Sequence, residues 1–240
     1  MTFMVAARPA SVLPSMIEVP RYTLPEAARY LRMPLNTLKS WVAGRPYPVS
    51  TGPAWFANLI NRPDPADPRL SFSNLIEAFV LLALRKQYNV KMEEVRNALN
   101  YTKLRFGVER VLLSKDLRVI KGSLFLEHMD QLTNIGRSGQ GAIPEILGAY
   151  LERIEWDESD LPLRMFPLTR ANELNSPRLL TINPNIAFGR PIVERKAIKT
   201  SSIADRFKAG ESISELAEDY DLEVVEIEEA IRYESLPLAA

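Results

Sequence analysis

The chain of 240 residues contains no cysteine and only one histidine, His128. The absence of cysteine excludes disulfides, thiolate zinc sites and cysteine nucleophiles, and it favours a reducing compartment. A single histidine without cysteine partners cannot build the usual transition-metal site. We therefore expect His128 to be structural and the protein to use no cofactor.

The sequence also lacks a long apolar run and a net charge. No stretch approaches the ~20 apolar residues that a membrane-spanning helix requires. The first residues, MTFMVAARPASVLPSM, have no long apolar core of the kind found in secretion signals. We expect a cytoplasmic protein without membrane contact, with residues 1–20 loosely ordered. Basic and acidic residues number 30 each, so only the distribution of charge can indicate a partner.

Motifs for catalysis are missing as well. The glycine-rich loop Gly136 to Gly141 follows no clear strand and precedes no Lys-Ser or Lys-Thr pair, so it matches neither a P-loop nor a dinucleotide fingerprint. We predict a turn there. Carboxylate pairs such as Glu93 with Glu94 lie on amphipathic patterns, where a solvated helix face explains them. We predict that the protein is not an enzyme.

The stretch from Tyr22 to Val42 predicts two short helices joined by a tight turn. Thr23 and Glu26 have the spacing of a capping box, and apolar residues at helical spacing follow as far as Leu31. Pro34 suits only the first turn of a helix, so a second helix begins near Leu35. Its buried side would comprise Leu38 with Trp41 or Val42.

The outward side of this second helix would carry short polar side chains and one cation, namely Asn36, Thr37, Lys39 and Ser40. Such groups read base edges and phosphates from a major groove. Arg21, Arg29, Arg32, Lys39 and Arg45 outnumber Glu26 between Arg21 and Tyr47. We interpret the stretch as a DNA-binding helix-turn-helix. The alternative is an ordinary helical hairpin with a solvated basic face.

Residues 43–70 contain six of the 18 prolines, which excludes long helices. A short β-wing would place Arg45 and Tyr47 near the DNA backbone. The alternative is an ordered loop with Trp55 anchored in the core. Helices are predicted next, from Ser71 to Leu84 and from about Met92 to Arg105 on Met92, Val95, Leu99 and Leu104.

The segments YTLPEAARYL and TLKSWV resemble the winged helix-turn-helix of MerR-like regulators. This resemblance implies that the two helices after the wing pack on the reader pair and complete an N-terminal domain.

In the middle of the chain, the spacing of the apolar residues changes from a helical to a β-type pattern. Short β-type runs between Val111 and Leu126 predict a small antiparallel sheet or hairpin, and a helix is predicted from Ile143 to Ile154. Residues 157–178 have no clear period and are interpreted as the connection between two domains.

Residues 179–233 predict two or three short strands around Gly189 and Pro191, followed by three helices. A capping box at Ser212 and Glu215 begins the second of these helices. Ten acids and one base, Arg232, lie between Glu211 and Glu234, so the unit would repel phosphate. We assign it to protein contact, through self-association or a partner.

This region closely resembles the domain-of-unknown-function 433 family. The matching positions are Pro184, Gly189, Pro191, Ile203, Gly210, Ser212, Ala217, Tyr220, Leu222, Ile227 and Ala230. The resemblance implies an antitoxin beside a PIN-like ribonuclease toxin with an acidic, metal-dependent site, and the whole chain resembles a VapB-type antitoxin. A cation inserted among those acids could block metal or RNA binding. The candidates are Arg190, Arg195, Lys196 and Lys199.

The sequence therefore predicts a mainly α fold with small β-hairpins. A winged helix-turn-helix domain with its following helices and small sheet spans residues 21–156, a linker spans 157–178, and a small C-terminal three-helix domain spans 179–236. The expected partners are operator DNA, the toxin and a second copy, because a dimer matches a palindromic operator. The alternatives are a stand-alone MerR-like regulator that senses a small molecule and an interaction protein without DNA affinity.

Overall fold

The computed structural model describes residues 16–49, 52–88, 92–107, 109–114, 142–170 and 175–235. Several sequence predictions lie outside these residues. They are the loose order of residues 1–15 within the predicted 1–20, the sheet beyond residue 114, the role of His128 and the turn at Gly136 to Gly141. For residues 16–20 the prediction of loose order is wrong, because the Ser73 amide donates to the Ile17 carbonyl over 3.0 Å and the Ser73 hydroxyl donates to the Glu18 carboxylate over 2.6 Å.

The N-terminal unit begins with two helices, α1 (Leu24–Leu31) and α2 (Leu35–Ala43), at the predicted positions. The capping box forms, because the Thr23 amide donates to the Glu26 carboxylate over 2.9 Å and the Glu26 amide donates to the Thr23 hydroxyl over 3.4 Å. Arg32 ends α1 in the left-handed conformation. This cap lets the chain reverse before α2 begins after Pro34.

The predicted wing is present as an antiparallel hairpin of β1 (Arg45–Val49) and β2 (Gly52–Phe56), with Arg45 opposite Phe56. Trp55 is 62% exposed, so the alternative of a core-anchored Trp55 is wrong. Gly44 joins α2 to the wing at a φ of 74°, and a side chain there would overlap the Phe56 carbonyl and the Trp55 ring. Only glycine fits this corner.

Helices α3 (Phe72–Tyr88) and α4 (Met92–Phe106) follow the wing, and α3 continues four residues beyond its predicted end at Leu84. Residues 72–84 of α3 are buried on every side and form the centre of the larger core. The predicted apolar face of α4 is wrong at Leu104, which is 86% exposed. Val111–Leu113 form a 3-10 turn rather than a strand. Within the described residues, no helix combines the length and hydropathy that crossing a bilayer requires.

The middle segment consists of α5 (Ala142–Leu151) and an antiparallel pair, β3 (Ile154–Trp156) and β4 (Pro162–Met165). The helix ends earlier than predicted, because Ile154 already belongs to β3. Buried Arg153 lies between them and donates to the carbonyls of Phe166 and Pro167 over 2.8 and 3.0 Å. Within the connection predicted at 157–178, residues 165–169 are therefore buried, whereas residues 157–159 and Leu161 are exposed.

The C-terminal unit contains a three-stranded antiparallel sheet in the order β5 (Leu180–Thr181), β6 (Ile192–Val193) and β7 (Ile198–Lys199). Three helices follow, α6 (Thr200–Lys208), α7 (Ile213–Tyr220) and α8 (Val224–Ser235), and the Ser212–Glu215 capping box begins α7. A second core lies between the sheet and these helices. The fold is mainly α with small β-hairpins, as the sequence predicts.

The two units pack directly on each other through α1 and α8. The Arg32 guanidinium donates to the Leu168 carbonyl over 2.9 Å and to the Tyr233 carbonyl over 2.7 Å. The Tyr233 hydroxyl donates to the Tyr30 carbonyl over 3.0 Å, and Arg29 pairs with Glu234 at 2.7 Å. These bonds hold the first helix of the helix-turn-helix against the last helix of the chain.

Candidate nucleic-acid interface

The outward side of α2 is open to solvent. Asn36 and Lys39 are exposed and Thr37 and Ser40 are half-buried, whereas Leu38 on the opposite side is fully buried. The polar set therefore faces outward, in the orientation that the sequence predicts. The Ser40 hydroxyl donates to the Thr37 carbonyl over 2.8 Å, so its proton is already used within the helix.

This side of α2 forms one wall of a groove with a volume of about 840 Å³. The wing forms a second wall, and α3 and α4 close the far side. Four cations and one acid line the groove. They are Lys39, Arg45, Arg85, Arg96 and Glu93. The excess of positive charge suits a polyanion, because phosphate neutralisation supplies most of the affinity for nucleic acid.

Two cations of this groove were not among the predicted site residues. Arg85, near the end of α3, donates to the Thr37 hydroxyl over 3.0 Å. Arg96 on α4 lies 4.8 Å from the centre of the Phe56 ring, while Arg45 lies 5.5 Å from the same ring. The fold brings together guanidinium groups that are about 50 positions apart in the chain. No local motif in the sequence could have linked them.

The cation pair around Phe56 is electrostatically unfavourable in the free protein. Burial lowers the pKa of Arg96, and the nearby charge of Arg45 lowers it further. The Arg96 guanidinium also donates to the Ala57 carbonyl over 3.0 Å, which fixes its position. An anion placed between Arg45 and Arg96 would relieve their repulsion. Two wing residues were predicted to contact DNA. Arg45 lines the groove. The side chain of Tyr47 lies outside the described residues.

The four cations predicted to contact a toxin are not grouped as one free cluster. Arg190 pairs with Glu26 and donates to the Tyr30 hydroxyl over 3.0 Å. Arg195 pairs with Glu226 at 2.8 Å, and Lys196 pairs with Asp221. Lys199 is exposed and forms no ion pair within the part of the chain that the structure describes.

Two family models match this chain, one over its first helices and one over the C-terminal unit. The sequence model of a family described as "Putative DNA-binding HTH domain" matches residues 20–99, and that of "Protein of unknown function (DUF433)" matches residues 180–233. A protein named "Putative antitoxin VapB45" from Mycobacterium tuberculosis (strain ATCC 25618 / H37Rv) is 27% identical over 230 residues, which cover 89% of this chain and 93% of that protein. The chain resembles a VapB-type antitoxin.

The fold of this chain also has a solved counterpart. The crystal structure of RV2018 from Mycobacterium tuberculosis matches with a TM-score of 0.63 at 22% identity, covering 90% of this chain and 99% of that one. At this identity the match shows the fold alone. Both matches span nearly the whole chain, so each includes the N-terminal and the C-terminal unit of this protein.

Proposed function

We propose that the protein is a non-catalytic antitoxin that binds operator DNA and represses transcription through its N-terminal unit. The observation that carries this proposal is the cation-rich groove beside an exposed α2. The outward polar set of α2 would enter the major groove, with Asn36 as its most accessible base reader. Lys39, which is also exposed, would contact a phosphate together with Arg45, Arg85 and Arg96, and these contacts would fix the register.

The C-terminal unit would hold a toxin by protein contact, and the toxin would be a PIN-like ribonuclease. The similarity to a protein named as an antitoxin supports this half of the proposal. Among the four predicted toxin-binding cations, Lys199 is available without breaking an ion pair of the described chain. Arg190, Arg195 and Lys196 would have to exchange their internal carboxylates for those of the partner. A cytoplasmic homodimer would place two α2 helices on a palindromic operator.

A gel shift with DNA from the protein's own promoter, repeated over a range of salt concentrations, tests the DNA-binding half. Lys39→Ala should weaken binding and reduce the slope of log K against log salt by about 1, because one phosphate contact is lost. Lys208→Ala is the matched control, because Lys208 is also exposed but lies on α6. A wild-type protein that shows no salt-dependent shift, or equal slopes for the two variants, would contradict the proposal.

A further inference from the structure

A tight loop of the C-terminal unit holds an aromatic side chain out in solvent. Phe188 is 86% exposed, and Ile186 beside it is 40% exposed. Ala187, Phe188 and Gly189 all have left-handed backbone conformations, with φ of 49°, 56° and 73°. This conformation is unfavourable for Ala187 and Phe188, because their Cβ atoms crowd the backbone. Strain of this kind persists only where the surroundings impose it, and it clusters at functional sites.

The surroundings of this loop do impose it. The Asn185 amide donates to the Asn183 side chain over 2.9 Å, and the Gly189 amide donates to the Ile186 carbonyl over 2.9 Å. The Arg21 guanidinium, from the N-terminal unit, donates to the Pro184 carbonyl over 2.6 Å. The loop is therefore fixed from both units before any partner arrives.

Gly189 fastens the other end of the loop. A Cβ atom at this position would overlap the Tyr22 hydroxyl and lie 3.2 Å from Cδ of Arg21, so the glycine backbone packs directly on the N-terminal unit. The backbone on both sides of Phe188 is therefore held in place, while its side chain is left in solvent. Aromatic residues presented in this way are typical anchors of protein interfaces, because a preorganised loop lowers the entropic cost of binding.

We propose that Phe188, with Ile186 beside it, is the anchor that inserts into an apolar pocket of the toxin, and that this pocket has an acidic rim. This inference rests on the proposed antitoxin function and names the surface that contacts the partner.

The charges beside the loop favour a toxin over a second copy of this chain. Arg21 touches the loop at Pro184 and Gly189, and it forms no ion pair among the described residues. Lys199 lies opposite Ile192 in the sheet, and Ile192 follows Phe188 by four positions in the chain. Two copies meeting at Phe188 would bring these like charges together, which is unfavourable, whereas an acidic partner would be attracted.

The test measures binding of the purified full-length protein to the purified product of the adjacent gene by isothermal titration calorimetry. Phe188→Ala should weaken binding by at least about thirtyfold, as expected for an interface anchor. Phe188→Leu should retain most of the affinity, because it keeps an apolar side chain. Leu104→Ala is the matched control, because Leu104 is also 86% exposed but lies on α4, and its affinity should equal that of the wild type.

The outcomes of this experiment distinguish the Phe188 anchor, the antitoxin function and self-association. Unchanged affinity in a folded Phe188→Ala variant, verified by circular dichroism, would overturn the anchor while leaving the antitoxin function in place. A wild-type protein that does not bind the adjacent gene product would overturn the toxin half of the function and the anchor with it. If sedimentation instead shows a wild-type dimer that Phe188→Ala dissociates, the occupant is a second copy and the proposal is wrong. A slower association rate for Lys199→Glu would support the acidic rim.

Discussion

Glu77 is a carboxylic acid inside the larger core, with only 6% of its surface exposed. The Asn74 amide donates to it over 2.9 Å, and the nearest guanidinium nitrogen, of Arg110, is 3.9 Å away. Burial raises the pKa of Glu77 to about 7, because neither Arg110 nor Asn74 compensates fully for lost hydration, and Glu18 nearby raises it slightly more. This residue should make the stability of the N-terminal unit dependent on pH.

Replacing Glu77 by glutamine should remove that dependence. Between the unfolded pKa near 4.5 and the folded value of about 7, the folded protein binds one more proton than the unfolded chain. The contribution of Glu77 is therefore fully present below the unfolded pKa and is lost as the pH rises to about 7, by up to about 1.4 kcal/mol per pH unit. Glu77→Gln should be less sensitive to pH in this window and more stable than the wild type at pH 8.

Urea unfolding at several pH values between 5 and 8 measures this difference. Glu228→Gln provides the control, because Glu228 is exposed on α8 and should leave the wild-type slope unchanged. Parallel curves for the wild type and Glu77→Gln would show that Glu77 is ionised in the folded protein throughout this range, contrary to the prediction.

The loop that contains Ala187 permits a test of backbone strain. Ala187 has a φ of 49°, which glycine adopts without a steric penalty. Ala187→Gly should therefore stabilise the protein by about 0.5–1 kcal/mol, although glycine also increases the entropy of the unfolded chain. Thermal unfolding followed by circular dichroism should show a higher midpoint. The same exchange at Ala217, within α7, should destabilise by about 1 kcal/mol, and a lower midpoint for both variants would mean that the loop carries no relievable strain.

Helices with local signals were predictable from the sequence, whereas features set by distant contacts were not. The boundaries of α1 follow from Thr23 and Glu26, which act within a single turn. Leu104 has the spacing of a buried residue, but nothing in the described fold covers it. The apolar run at Val111–Leu113 was predicted as a strand and folds as a 3-10 turn, because short apolar runs do not distinguish the two.

The candidate interface also contains residues that the sequence could predict and residues that it could not. The exposed positions Asn36 and Lys39 could be predicted, because one helix repeat decides which side of α2 is buried. Arg85 and Arg96 could not, since only the packing of α3 and α4 beside α2 brings them into the groove. The anchor at Phe188 was also missed, because left-handed backbone at a non-glycine residue has no reliable sequence signal.

Charge is arranged differently over the whole molecule than the sequence indicates. Six of the ten acids between Glu211 and Glu234 form ion pairs with bases of the same chain, and Glu215 is used in a capping box. In the described chain, this leaves three acids with neither an ion pair nor a capping role, namely Glu218, Glu223 and Glu228. Pairing within the unit leaves its net charge unchanged, and only Arg29, with Glu234, and Arg170, with Glu229, add positive charge from outside it. Most of these acids are therefore held in local ion pairs rather than presented together as one anionic surface.

The contact between the two units predicts that they unfold together. Arg32 connects them by bonding to the carbonyls of Leu168 and Tyr233 and by lying 4.8 Å from the centre of the Tyr233 ring. Arg32→Asn should keep the left-handed cap, which asparagine tolerates, but leave both carbonyls without this donor. The expected loss is about 2–3 kcal/mol of unfolding free energy, since each bond contributes roughly 1–1.5 kcal/mol.

The measurement compares two probes during urea unfolding. All three tryptophans, Trp41, Trp55 and Trp156, lie outside the C-terminal unit, so their fluorescence reports the rest of the chain, whereas circular dichroism reports every helix. The wild-type curves should coincide, because the units share α1 and α8 contacts, and the Arg32→Asn curves should separate as the C-terminal unit uncouples. Arg206→Asn is the control, because Arg206 pairs only within its own unit, with Glu211 and Asp219. Coincident curves for Arg32→Asn would contradict the prediction. They would mean that the remaining contacts between α1 and α8 are enough to couple the unfolding of the two units.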